Sequence, residues 1–203
     1  MLIDMHMHTS ERSGCASSPA VDQLMIARMT GLDAVAITDH HRLVTPAARA
    51  VLEGLFPELI LIPGVEITLS DVLEDIIVLG LDHQELVDGP WDWADLRSFV
   101  RERGGLTIMA HPLRYADTIG LDLDALPPDA MELYSTNIRP ANHAQIKREA
   151  EARGIPLVSS SDAHHCRDVG RHATRLREPA TTVNAILEAI RCGEGIPEYR
   201  GVH

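Results

Sequence analysis

Ala34-Val35-Ala36-Ile37-Thr38-Asp39-His40-His41 is a short apolar run that breaks directly into ionisable side chains. The same pattern recurs along the chain. Leu2–Met5 runs into His6-Met7-His8, Leu59–Ile62 into Gly64-Val65-Glu66, Leu106–Ala110 into His111-Pro112, and Pro156–Ser159 into Ser161-Asp162-Ala163-His164. Short, bounded apolar runs of this kind read as buried strands, and Asp75–Leu81 and Ala130–Tyr134 read the same way, making seven. Amphipathic stretches fall between them at Val21–Met29, Pro46–Leu55, Asp92–Arg103, Asn142–Arg153 and Thr181–Arg191. Gly31, Gly54, Gly104 and Gly154 follow helical runs, where a left-handed cap is favoured. Strand–helix–strand repetition predicts a parallel sheet, either open or closed into a barrel. Periodicity alone does not choose between the two.

A length of 203 residues with 45% hydrophobic content supports one core, so residues 1–203 read as a single domain with 193–203 as a peripheral tail. Aromatic residues make up only 3%, which leaves Leu, Ile, Val and Ala to fill the interior. No apolar stretch reaches the roughly 18 residues of a membrane span, and no basic segment precedes an apolar one at the start. A cytoplasmic protein with no membrane association is expected. The three cysteines, Cys15, Cys166 and Cys192, are scattered and form no Cys-x-x-Cys pair, which argues against a disulfide framework or a thiolate zinc site. A formal net charge of −12 repels long polyanions, so duplex nucleic acid is not an expected partner. Carboxylates that hold divalent cations would lower that figure.

In parallel β/α folds, ligands bind at the carboxyl ends of the strands. Residues tens of positions apart in sequence would therefore meet on one rim. Alternation along an extended chain points Asp4, His6 and His8 the same way, and likewise Asp162 and His164. Imidazole and carboxylate together suit zinc, manganese or iron, and a shared carboxylate can bridge two ions. A lone His-x-His is common by chance; five such pieces at five strand ends are not.

The series His-x-His-Thr, Thr-Asp-His, Gly-Val-Glu, Ala-His-Pro and Ser-Asp-Ala-His, from Asp4 to about Arg171, resembles the PHP (polymerase and histidinol phosphatase) family. The resemblance implies a distorted seven-stranded TIM-like (β/α)7 barrel holding two or three divalent ions (Mn, Zn or Fe). By motif, His6, His8, Glu66 and Asp162 are similar to ligands of a first ion. Glu66 bridges to a second, which His111 also holds, and His40 and His164 are similar to ligands of a third. Asp4 and Asp39 fit the role of orienting the imidazoles. Two places depart from the pattern. The strand after Gly-x-Glu has no histidine, so Asp75 is the preferred substitute, with His83 the alternative. An acidic residue or histidine that helps hold the third ion is replaced by Ser13-Gly14-Cys15, leaving Glu11 or Cys15, or a weak third site.

Paired divalent ions imply hydrolysis of a phosphate ester by a metal-activated water, without a protein nucleophile. His41 and His165 stand beside the metal-site histidines and are candidate catalytic acids for the leaving oxygen. Arg114, Arg139 and Arg171 follow the fifth, sixth and seventh strands and are candidates for binding phosphate bidentately. The expected substrate is a small phosphorylated metabolite or nucleotide. Two other readings stay open: a non-catalytic metal-binding or regulatory module, and a metal-dependent C–N hydrolase. The sequence leaves oligomeric state undetermined.

Overall fold

The computed structural model describes residues 1–200. Strands β1 (Leu2–Asp4), β2 (Ala34–Ile37), β3 (Ile60–Thr68), β4 (Asp75–Leu79), β5 (Leu106–Met109), β6 (Ala130–Tyr134), β7 (Leu157–Ser159), β8 (His172–Leu176) and β9 (Gly195–Tyr199) form one sheet. Its order is β7-β6-β5-β4-β3-β2-β1-β8-β9. Helices α1 (Ala20–Met29), α2 (Pro46–Leu55), α3 (Trp93–Glu102), α4 (His143–Arg153) and α5 (Val183–Arg191) connect them. All five expected helices form, and three start on a side-chain cap: Thr45, Asp92 and Thr182 each accept a backbone N–H of the first turn. Gly31, Gly104 and Gly154 adopt positive φ as expected, whereas Gly54 lies inside α2 and does not.

The sheet is nearly closed and barrel-like, but it has nine strands, not seven. β8 and β9 lie in an arginine-rich stretch and in the expected tail, where polar residues and Pro197 mask the strand pattern. β9 pairs antiparallel with β8 as an edge strand, a position that tolerates proline. The tail expectation therefore fails for Gly195–Tyr199, and residues 201–203 lie outside the described residues. The sheet is also not wholly parallel. β4 runs antiparallel to both β3 and β5. Only Leu69–Glu74 separates β3 from β4, too short for a parallel crossover, which needs a dozen or more residues. The reversal has a chemical consequence: Asp75 opens β4 rather than following it, and so sits level with the carboxyl ends of the neighbouring strands.

Ile3, Ala36, Ile77, Ile108 and Val158 fill the barrel together with Ile186 and Ile190 of α5. Helix α5 closes the end away from the histidines. Its Leu187 occupies the space a Cβ on Gly80 would need, and Gly80 has φ +84°, so that position admits only glycine without strain. Outside the barrel, β4, β5 and β6 pack on α3 and α4, and β1, β2 and β3 on α1 and α2.

No ladder joins β7 to β8. Instead the Thr174 hydroxyl donates to the Ser159 carbonyl and accepts the Ser159 N–H, both at 2.8 Å. Further up, Met7 bridges Ala163 in parallel register and the His8 N–H donates to the Ala163 carbonyl at 2.9 Å. Thr174→Val would strand a buried N–H and is expected to destabilise the fold by about 1–3 kcal/mol in urea unfolding, while Thr174→Ser stays close to the parent. Equal midpoints for Val and Ser would show that the hydroxyl does not hold the seam.

Candidate metal centre

The carboxyl ends of β1, β2, β3, β5 and β7 and the start of β4 bring His6, His8, His40, Glu66, Asp75, His111, Asp162 and His164 into one cluster. Four overlapping sets have a nitrogen or oxygen from each member within 4.8 Å of the others: His6, His8 and Glu66; His6, His111 and Asp162; Glu66, Asp75 and His111; and His8, His40 and His164. Glu66 belongs to two sets, its Oε1 lying 3.0 Å from His111 Nε2 and its Oε2 2.8 Å from His40 Nδ1. Asp162 Oδ1 lies 3.4 Å from His6 Nε2 and 3.3 Å from His8 Nε2. Asp75 joins the cluster, whereas His83 packs near Phe99.

The donors fit a divalent cation on two counts. Glu66 Oε2, Asp75 Oδ1 and Asp162 Oδ1 are buried and accept no well-aligned hydrogen bond, Glu66 and Asp162 meeting imidazole nitrogens at close range instead, an expensive condition for carboxylates unless a cation is shared among them. His6 and His8 also point their Nε2 atoms at each other, 3.1 Å apart. Their opposite ring nitrogens explain why. His6 Nδ1 meets Glu132 Oε1 at 3.1 Å, and His8 Nδ1 meets the Ser13 hydroxyl at 3.4 Å. With Nδ1 as the donor in each ring, both Nε2 lone pairs face the cluster.

Glu132 is the residue that sequence reasoning missed. It lies on β6, fully buried, and its other oxygen accepts the His111 N–H at 2.8 Å. The signal was present: a lone carboxylate inside the apolar run Ala130–Tyr134. Asp39 reaches an imidazole only through Ser13, whose hydroxyl donates to Asp39 Oδ1 at 2.7 Å, lies 3.4 Å from His8 Nδ1 and accepts the His40 backbone N–H at 3.2 Å. Asp4 touches no imidazole. It accepts the N–H groups of Ser161 and Gly170, tying β1 to the segment after β7, and burial pushes its carboxyl up to about 6 despite those bonds. Alternation from Asp4 fails because β1 ends there: Met5 packs inside the barrel and Met7 outside. Glu11 caps α1 by accepting the Ala20 N–H, and Cys15 is exposed; neither joins a metal-competent set.

Neither proposed acid enters the cluster. His41 is exposed with its Nε2 accepting the Thr68 N–H at 3.2 Å, and His165 is exposed without a side-chain hydrogen bond among the described residues. Each follows its neighbour in sequence but turns outward. Among the arginines, Arg114 reaches the site, its Nη1 3.1 Å from His111 Nε2. Arg139 is exposed on the loop after β6, and Arg171 pairs with Asp168 at 2.7 Å beside a neighbouring cavity.

Backbone strain concentrates here. His111 and Asp162 have φ of +27° and +52°, in the region side-chain-bearing residues avoid. Burial opposes charge on His6, but Asp162, Glu132 and Glu66 outweigh it and hold the imidazole well above its usual value. His8 and His111 are raised against burial by Glu66 and Asp162. In return the imidazoles hold Glu66 and Asp162 low in spite of burial. His164, desolvated and beside His8, is lowered.

The family model described as PHP-associated matches residues 140–194. Three solved structures share the architecture. PsfC of Pseudomonas syringae aligns at TM-score 0.68 and 22% identity, covering 89% of this chain and 83% of its own. The chain shares its fold with PsfC, and the PHP-associated match agrees with the resemblance read from the motifs. A two-domain protein of Bacteroides vulgatus, assigned a PHP-like metal-dependent phosphoesterase, aligns at TM-score 0.77 and 16% identity over 98% of this chain. The present chain spans 64% of that protein's length. A protein of Bifidobacterium adolescentis assigned as a metal-dependent phosphoesterase aligns at TM-score 0.65 and 18% identity, covering 99% of this chain and 96% of that one. Comparison with curated protein sequences finds no match.

Two predictions follow from the carboxylate-flanked imidazoles and from Glu132. Metal ligation needs neutral rings, and the carboxylates around His6, His8 and His111 raise all three, so metal must compete with protons for these nitrogens. Manganese titration of the metal-free protein should release protons, with affinity tightening from about pH 6 to about pH 8; a pH-independent isotherm contradicts this. In Glu132→Gln a single amide oxygen must replace two carboxylate acceptors, so metal affinity should fall roughly 10–100-fold at unchanged circular dichroism.

Proposed function

We propose that this centre hydrolyses phosphate esters of small phosphorylated metabolites or nucleotides. The observation that carries the reading is the guanidinium of Arg114 set against His111 Nε2 at the edge of a cation-binding cluster. A cationic centre flanked by a fixed arginine fork recognises a tetrahedral anion better than the neutral carbonyl of an amide, which favours phosphoester over carbon–nitrogen hydrolysis. In this reading His6, His8, Glu66 and Asp162 hold one divalent ion, Glu66, Asp75 and His111 a second, and His8, His40 and His164 a third, with manganese, zinc and iron all compatible with the donors. Bound ions would supply Lewis acidity and ready a water for attack near neutral pH.

The chain's own residues do the rest. Glu132 and Ser13 fix the two imidazoles with Nε2 inward, Asn137 holds Asp162 through Oδ2 at 2.5 Å, and Tyr115 holds Asp75 through its hydroxyl at 2.7 Å. Arg114 binds the phosphoryl oxygens and Glu66 joins the ion sites. A surface of net charge −12 disfavours long polyanions and fits a small substrate rather than a duplex. Asp75, grouped with Glu66 and His111, supports a competent centre over a non-catalytic module.

Manganese-loaded protein should turn over a generic phosphate ester, lose activity on chelation and lose it in Glu66→Ala. Arg114→Ala should raise KM about 10–100-fold, the worth of a charge-assisted pair of bonds. Full activity in rigorously metal-free protein would sink the proposal.

A further inference from the structure

Beside the metal centre lies a cavity of about 220 Å³ whose wall includes Ser135, Thr136, Ile138, His143, His172 and Tyr199. It shares a boundary with the cluster. The Thr136 hydroxyl donates to the Asp162 carbonyl at 3.1 Å, and the adjacent Asn137 holds the Asp162 carboxylate. His172 is 7% exposed and lines the cavity; among the described residues neither of its ring nitrogens has a hydrogen-bond partner, Nδ1 being closed off and Nε2 the one left accessible. An unpartnered imidazole nitrogen at the wall of an open cavity is free to bond a ligand there.

The lining is aromatic rather than ionic. In the wall Tyr199 stands edge-to-face on His172 at 4.8 Å, and Tyr134, which is not part of the wall, backs His143 at 4.8 Å and His172 at 6.4 Å. Tyr199 is 67% exposed, which leaves ring surface free for contact. Among the described residues the cavity's one cation, Arg171, is engaged by Asp168 at 2.7 Å. Burial, with Arg171 and His143 alongside, brings His172 down to about 4, so at neutral pH it is an uncharged ring offering a hydrogen bond. These features select a flat ring with a polar edge over a second anion. The volume falls below the roughly 300 Å³ of drug-sized sites and suits one ring system.

We infer that this cavity is a subsite for a planar heteroaromatic leaving group, with Tyr199 giving it a face and His172 bonding its edge. The inference rests on the proposed ester hydrolysis for its role, but the binding itself does not. It therefore has a test that needs no turnover.

Equilibrium dialysis of zinc-loaded protein with adenosine, a neutral heteroaromatic probe, should show saturable binding. Tyr199→Ala, a change on an exposed edge strand, should weaken it about tenfold. Glycerol should not compete. In kinetics the same variant should raise KM about tenfold for adenosine monophosphate at unchanged kcat, and leave glycerol phosphate untouched. If no ester is hydrolysed while adenosine binding still depends on Tyr199, the subsite stands and the hydrolase reading falls. Absent binding, binding indifferent to Tyr199→Ala, or displacement of adenosine by inorganic phosphate in the Glu66→Ala variant would overturn the subsite.

Discussion

Four carboxylates, Glu66, Asp75, Glu132 and Asp162, are packed out of water around the imidazoles of His6, His8 and His111. Like charges at this separation in a low-dielectric interior cannot be held by the protein alone. Positive charge must be shared among them, as imidazolium protons or as metal cations, and the two are interchangeable. Much else in the architecture answers to that demand: the closed barrel that excludes water, the strained φ at His111 and Asp162, and the second set of acceptors that hold the rings in one tautomer.

The strand ends and helices were legible because both are written in local pattern. Each apolar run that broke into His, Asp or Glu did reach the common rim, and all eight residues expected at the ions converge. What local pattern does not carry is direction or partner. The reversal of β4 depends on loop length, and β8 and β9 are half-polar strands stabilised by pairing rather than by their own hydrophobicity. Glu132 was hidden because a single carboxylate in a strand says nothing of which ring it will meet. His41 and His165 illustrate the converse: adjacency to a cluster histidine in sequence turns a side chain away from the cluster as readily as toward it.

The seam shows how the fold reconciles enclosure with access. Two Thr174–Ser159 bonds stand in for a ladder, and above them the segments after β1 and β7 meet directly. Asp4 ties that junction by accepting N–H groups from both Ser161 and Gly170. The cluster at the rim is thus braced from below by side-chain-to-backbone hydrogen bonds, while His40 and His164 remain partly open to solvent.

The pairing of β1 with β8, Ile3 against Thr174, has a consequence for the order of events in folding. Loop-closure entropy is met in full before so distant a contact gives anything back, which marks the topology as slow to nucleate. On a growing chain, His6 and His8 emerge early and wait through more than 150 residues of synthesis for Asp162 and His164. Throughout that interval the first two histidines form an incomplete chelate, able to capture a cation only loosely. Selection of any ion the cluster takes up would therefore fall to a late step of assembly, when the segment after β7 arrives with Asp162 and His164.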